Sequence, residues 1–368
     1  MIKRAIISGG GTGGHIFPAI AIADEIKRRN PDAEILFVGA EGKMEMEKVP
    51  AAGYEIKGLP IAGFQRKFTF SNFLLPFKIV GSMIKARKIV KSFKPEVAVG
   101  VGGYASGPTL KAATMIGVPS MVQEQNSFPG KTNKILSKSV QTICVAYQGL
   151  ERFFPKEKIV LTGNPTRRDM VSTEGKESEG YEFYGFDPSK KTVLIIGGSL
   201  GARTLNESVI ANLDKLKQSG VQVLWQCGKL YHDRLKEELK NTDLGSIKMV
   251  QFITRMDLAY AIADVVISRA GAISVSELCL VKKPTILVPS PNVAEDHQTK
   301  NAMALVEKDA AVLVKDVEAK EKMVDQVLVL IEDEQKCASL KKNIELMGKP
   351  NATASIVDEL EKLKQSDD

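Results

Sequence analysis

Arg4-Ala5-Ile6-Ile7-Ser8-Gly9-Gly10-Gly11-Thr12-Gly13-Gly14-His15 is the stretch that decides the fold. Arg4–Ser8 has the character of a strand, six small residues follow, and a helical pattern runs from Pro18 to Arg29. Strand, glycine turn and helix open a βαβ unit. Working outward, Glu34–Val38 reads as the next strand. Glu96–Gly100, Ser120–Gln123 and Thr142–Val145 follow, each after a helical segment. The rhythm then restarts with a strand at Thr192–Ile196, a glycine loop at Gly197–Ala202 and a helix at Thr204–Leu216. Val221–Gln226, Lys248–Phe252, Val265–Ser268 and Thr285–Val288 are further strands. A helical tail spans Ala319 to Lys364, broken near Gly348-Lys349-Pro350.

The halves resemble each other. IISGGGTGG at 6–14 parallels LIIGGSLGA at 194–202, VAVGVGGYASGP at 97–108 parallels VVISRAGAISVSE at 265–277, and GVPSMVQEQN at 117–126 parallels KKPTILVPSPN at 282–292. The expected architecture is α/β: two doubly wound, Rossmann-like domains with parallel sheets, facing across a cleft. The expected boundaries are 1–163, a linker over 164–191, 192–348, and a C-terminal helix over 349–368. The linker reading rests on Glu174–Gly180, which is polar and aperiodic.

Composition narrows the function. At 368 residues, 43% hydrophobic and 26% charged, the chain suits two soluble domains. No apolar run approaches the ~20 residues of a membrane-spanning helix, and the start is not a signal peptide. A cytoplasmic protein is expected. Four scattered cysteines exclude a disulfide framework or zinc knuckle, and three histidines argue against a multi-His metal site. Residues 1–163 carry 23 Lys and Arg against 12 Asp and Glu, whereas residues 164–368 carry 28 against 32. The first half therefore suits a polyanion or anionic surface.

Three glycine loops precede helices: 9–14, 197–202 and 268–271. Small residues admit a ligand to the backbone, and a helix N-terminus favours phosphate. The first loop matches G-x-G-x-x-G, with Glu41 near where a nicotinamide site places its ribose acid, but that pattern alone is weak. A second loop of the same kind and the polar His15 point instead to a ligand held by both domains. In Ser268–Glu277, backbone amides suit a diphosphate and Glu277 suits ribose hydroxyls. No D-x-D motif occurs. Leaving-group charge is then expected to fall to helix dipoles and cations, Arg167 among them, rather than to a metal.

Together GGGTGGH (9–15), GVGGYASGP (100–108), EQN (124–126), GNPTR (163–167), GGSLGA (197–202), SRAGAISVSE (268–277) and EDHQTKNA (295–302) resemble the MurG family, in order over nearly the whole chain. The resemblance implies a GT-B fold, with the C-terminal helix packing back on the first domain. It also implies an inverting hexosyltransferase that moves N-acetylglucosamine (GlcNAc) from UDP-GlcNAc to the N-acetylmuramic acid (MurNAc) 4-hydroxyl of lipid I. Lipid I is undecaprenyl-diphosphate-MurNAc-pentapeptide, and the products are lipid II, for peptidoglycan, and UDP. No cofactor or obligatory metal is implied. The implied donor set is Thr12, Gly13, Gly14, Asn126, Arg167, Ser199, Ile253 through its backbone, Ala272, Ile273, Ser274, Val275, Ser276, Glu277 and Gln298. His15, Tyr104 and Glu124 are implied to line the acceptor side. His15 is the first candidate base, and Glu124 the second, acting directly or by orienting the histidine. Leu200 stands where many members have glutamine and receives no contact.

No acidic residue lies between Glu55 and Glu96, a stretch rich in Lys, Arg and Phe. Phe70, Phe73, Leu74, Leu75, Phe77, Lys78 and Lys85 are the expected contacts with an anionic membrane surface, with Ile79, Met83 and Ile84 partly in the core. The implied place is the cytoplasmic face of the bacterial inner membrane, beside other cell-wall synthesis proteins, with no nucleic-acid partner. A different lipid acceptor, a catalytically silent sugar-nucleotide-binding subunit and a nicotinamide dehydrogenase remain alternatives.

Overall fold

The structure, a computed structural model, describes residues 1–61, 75–166, 171–293 and 296–365, with the backbone alone over 75–77. The chain divides into two units, Met1–Thr166 with Lys349–Asp368, and Arg167–Gly348.

The first unit holds strands β1 (Arg4–Gly9), β2 (Glu34–Ala40), β3 (Glu55–Leu59), β4 (Val97–Gly102), β5 (Ser120–Glu124), β6 (Thr142–Val145) and β7 (Ile159–Leu161). They lie in the order β3-β2-β1-β4-β5-β6-β7, every pair parallel. Its helices include α1 (Gly13–Arg29), α2 (Glu45–Ala51), α3 (Leu75–Phe93) and α4 (Ser106–Met115). The second unit repeats the plan with β8 (Thr192–Ile196), β9 (Gln222–Gln226), β10 (Ile247–Val250), β11 (Val265–Ser268), β12 (Thr285–Leu287) and β13 (Val312–Leu313), ordered β10-β9-β8-β11-β12-β13. Strands β4, β8 and β9 are buried along their whole length, as helices on both faces of a parallel sheet require.

The strand order reverses between β1 and β4, and again between β8 and β11. Ligands bind at such switch points, beyond the carboxyl ends of the strands. The glycine-rich stretches that follow β1, β4, β8 and β11 all fall there.

Several boundaries differ from the sequence reading. The three strands it lacks, β3, β7 and β13, are short edge strands with weak apolar patterning. Helix α1 begins at Gly13, upstream of the expected Pro18, although Pro18 cannot give the N–H that would ordinarily bond the Gly14 carbonyl. The tail is three helices, because Asp333 accepts the Lys336 N–H at 2.8 Å and starts a new one.

The stretch read as a linker holds α5 (Glu177–Tyr184), which packs on α6 (Met256–Ile262). Tyr184 and Phe186 enter the core, and a Cβ on Gly180 would lie 2.9 Å from the Leu258 carbonyl. Eight residues are too few to show a helical period. The C-terminal helix (Ala352–Gln365) packs against α1. Arg29 bonds its Asp358 at 2.7 Å, and Ile356, Val357 and Leu360 join the core of the first unit.

Candidate active site

In the first unit, the loop after β1 is shaped by contacts that leave no room for side chains. A Cβ on Gly10 would fall 2.1 Å from a Glu45 oxygen, and one on Gly103 would fall 2.5 Å from the Gly10 carbonyl. Gly11 has φ +86°, which only glycine adopts readily. Thr12 is the exposed N-cap of α1, and Gly13 and Gly14 form its first turn. His15, half-buried, places Nδ1 3.0 Å from the Gly10 carbonyl. A carbonyl only accepts, so Nδ1 carries a proton, and in the neutral ring Nε2 is the basic nitrogen. The ring lies against Gly102, where a Cβ would be 2.8 Å from Nε2. Tyr104, in the loop after β4, is exposed.

Glu124 ends β5 and is buried. One oxygen accepts from Asn126 N and Nδ2 at 3.0 and 3.2 Å, and the other from Gly130 N and Asn133 Nδ2 at 3.1 and 2.8 Å. Four donors on one carboxylate make it the organiser of the 126–133 loop. That departs from a proton-accepting part, because a carboxylate so engaged has lost its lone pairs to the loop. It orients Asn126.

In the second unit, the glycine loop 197–202 packs on a neighbouring turn. A Cβ on Gly201 would lie 2.2 Å from the Cys227 carbonyl, and one on Gly228 would lie 2.1 Å from Gly201 Cα. Ser199 is exposed, and its carbonyl accepts the Lys229 N–H at 3.0 Å. Ile253 is buried in the core, so only its backbone can meet a ligand. Ala272, Ile273, Ser274, Val275 and Ser276 are the first turns of α7 (Ala272–Val281), whose N-cap is Gly271 and whose first turn holds no acidic residue. A helix start with a glycine N-cap and no acidic residue in its first turn favours an anion. Glu277 is half-buried one turn later. Burial, with a smaller effect of the nearby Glu277 carboxylate, pushes the Tyr260 hydroxyl well above its ordinary value. Gln298 Oε1 accepts the Ser290 N–H at 2.8 Å, which turns its NH₂ end away from that bond.

The match with known proteins is close. The descriptions glycosyltransferase family 28 N-terminal domain and C-terminal domain fit residues 5–145 and 192–358. The chain belongs to glycosyltransferase family 28. It is 55% identical over 360 residues, 98% of each chain, to the UDP-N-acetylglucosamine–N-acetylmuramyl-(pentapeptide) pyrophosphoryl-undecaprenol N-acetylglucosamine transferase of Parabacteroides distasonis. It is 56% identical over 365 residues, 99% of this chain and 98% of the other, to the protein of that name from Cytophaga hutchinsonii. The crystal structure of Acinetobacter baumannii MurG superposes with a TM-score of 0.78 at 29% identity, over 98% of this chain and 99% of that one. A UDP-GlcNAc 2-epimerase of Neisseria meningitidis, at TM-score 0.68 and 13% identity over 98% and 100% of the chains, shares the fold alone. The fold of this family 28 glycosyltransferase is GT-B.

Not every expected residue of the family 28 chain has a described place. Arg167, Phe70, Phe73 and Leu74 lie outside the described residues, as do the side chains of Leu75 and Phe77. Lys78 is half-buried, and Lys85 pairs with Glu41 at 2.7 Å, which also commits Glu41 away from a ribose. Ile79 and Ile84, expected partly in the core, are exposed, and Met83 is half-buried. The core stripe of α3 is Ser82, Ala86, Ile89 and Val90, which turns Ile79, Val80 and Ile84 outward among lysines.

Three residues escaped the sequence reading. Glu45 caps the first loop. Asp316 ties Arg269 (2.5 Å) to Thr204 (3.0 Å), joining the loop after β11 to the helix after β8. Asn206 bonds both Trp225 Nε1 (2.9 Å) and the Cys227 carbonyl (3.0 Å). Each partner is remote in sequence, so no local pattern announces it. Among the described residues no three His, Cys, Asp or Glu side chains gather as a metal site, and no helix is long and apolar enough to cross a membrane.

Proposed function

We propose that this family 28 enzyme carries out the reaction named in its relatives. It transfers GlcNAc from UDP-GlcNAc to the 4-hydroxyl of MurNAc in undecaprenyl-diphosphate-MurNAc-pentapeptide, giving lipid II and UDP. The observation that carries the reading is the 55% identity spanning 98% of both chains with a transferase of that name.

The second unit takes the donor. The amides that open α7 receive the diphosphate, Glu277 takes the ribose, the Ile253 backbone takes the uracil, and the Gln298 NH₂ end takes a sugar hydroxyl. Ser199 and Arg167 join the diphosphate contacts, and Thr12, Gly13, Gly14 and Asn126 contribute to the donor sugar. Tyr104 belongs to the acceptor side, and Glu124 keeps Asn126 in place.

His15 Nε2 removes the proton of the acceptor hydroxyl as that oxygen bonds to C1. The C1–oxygen bond to the β-phosphate breaks, UDP leaves with the electron pair, and the proton passes from His15 to solvent. One displacement inverts C1. A positioned base contributes about 10²–10⁴-fold, and the helix N-terminus stabilises the charge growing on UDP. No divalent ion enters the mechanism.

The enzyme works as a peripheral protein on the cytoplasmic face of the inner membrane. Exposed Val80 and Ile84 beside Lys88 and Lys91 support this, because apolar residues ringed by cations suit an anionic lipid surface. The test is transfer of labelled GlcNAc to lipid I in the presence of EDTA. Inverted product with metal removed agrees with the reading, and transfer that stops with EDTA and returns with a divalent ion contradicts its metal-free part.

A further inference from the structure

The Glu45 side chain is 1% exposed, yet among the described residues its carboxylate accepts from no lysine or arginine. One oxygen accepts the Gly11 N–H at 2.8 Å, and the other accepts the Ala40 N–H at 3.0 Å. Burying a carboxylate is costly, and here the two amide hydrogen bonds offset part of that cost while holding both amides in place. Space around it is cleared by glycines, since a Cβ on Gly10 would lie 2.1 Å from one oxygen and one on Gly39 would lie 2.6 Å from Glu45 Cγ.

The Gly11 N–H and the Gly10 carbonyl belong to one peptide unit. That unit is planar, so fixing the N–H fixes the direction of the carbonyl. The carbonyl is the partner of His15 Nδ1 at 3.0 Å. A carboxylate, a peptide and an imidazole therefore stand in line. The carboxylate draws on the N–H, which polarises the peptide and strengthens the carbonyl as an acceptor, an effect of roughly 10–30% per bond. A second consequence concerns ligands. The Gly11 amide, a phosphate donor in loops of this pattern, is already bonded to an anion.

We propose that Glu45 is a positioning residue for His15, acting through the Gly10–Gly11 peptide so that Nδ1 holds the proton and Nε2 is the base. The proposal rests on His15 being the base, as argued above. It assigns Glu45 the part that an aspartate plays directly in carboxylate–histidine pairs, with one peptide interposed.

The chain has only three histidines, so ¹⁵N spectra of the labelled, full-length enzyme resolve the tautomer of His15 directly. The expected wild-type state at pH 8 is protonated Nδ1 and unprotonated Nε2. The opposite tautomer overturns the proposal without any variant. Glu45→Gln keeps the shape but offers a single acceptor oxygen, so one of the two amide bonds is lost. Its kcat is expected to fall about 10–100-fold, as for outer partners of other functional histidines, with the KM for UDP-GlcNAc unchanged and the Nδ1–H population reduced. A double-mutant cycle separates positioning from general damage. On a His15→Ala background, Glu45→Gln should cost no further turnover. Full additivity, or an unchanged tautomer in Glu45→Gln, overturns the proposal while leaving His15 as base. Wild-type turnover in His15→Ala alone overturns the base reading instead.

Discussion

Gly102→Ala is the sharpest perturbation of the candidate base that leaves the histidine itself unsubstituted. Gly102 has φ +100°, and the three atoms nearest a Cβ there all belong to the His15 ring, at 2.8, 2.9 and 3.6 Å. Two costs follow. An alanine forced to positive φ loses about 1–3 kcal/mol, or about 2–12 °C in Tm for a unit of this size. The methyl group also displaces the imidazole, since 2.8 Å is well inside van der Waals contact. Gly117→Ala is the control. It has φ +82° with nothing within 4 Å, so it carries the backbone cost without touching His15. Both variants should lose a few degrees in Tm. Only Gly102→Ala should lose kcat, by about 10²–10⁴-fold if the base is taken out of reach, with KM for UDP-GlcNAc within about twofold of wild type. Steady-state transfer assays on both proteins, beside thermal melts, decide it. Equal kcat in the two variants refutes the placement of His15 as base.

Glu25 gives a pH prediction. Its bonds to Arg28 and then Arg29 outweigh burial and hold its carboxyl at about 2, below the ordinary value of 4.5. A lowered folded value stabilises the fold above the unfolded value, and that stability is lost as pH falls from about 4.5 through about 2. Glu25→Gln should therefore cost up to about 3 kcal/mol at pH 7 and almost nothing at pH 2, read by denaturant unfolding. Asn206→Ala leaves the indole N–H of buried Trp225 without its partner, at a cost of about 1–3 kcal/mol. Trp225 is the one tryptophan, so its fluorescence follows unfolding of the second unit. On the membrane side, Ile84→Glu should abolish most binding to anionic vesicles. Lys88→Gln and Lys91→Gln should each weaken it by about 1 kcal/mol, with no effect on neutral vesicles.

The doubly wound plan was legible because each glycine loop stands between an apolar strand and a helix, twice in one chain. Three of the four edge strands were not, since β7 and β13 are too short to show a period and β3 has weak apolar patterning. The orientation of α3 is hidden in the sequence for a related reason. Its buried stripe uses the small residues Ser82 and Ala86, while the large Ile79 and Ile84 face outward, so hydrophobicity pointed to the wrong face. At the site, the residue types were visible but not their engagements. Glu124 looks like a base in sequence, and four donors from a loop within nine residues make it a scaffold. Glu45 lies 34 residues from the Gly11 amide, and only the fold brings the two together.

The most direct measurement is transfer of labelled GlcNAc from UDP-GlcNAc to lipid I, for wild type and His15→Ala, each with and without EDTA, beside UDP-GlcNAc binding. The expected result is an inverted product whose formation persists in EDTA and falls about 10²–10⁴-fold in His15→Ala, with donor binding intact. Donor binding without any transfer to lipid I contradicts the assigned acceptor, and undiminished transfer by His15→Ala contradicts the assigned base.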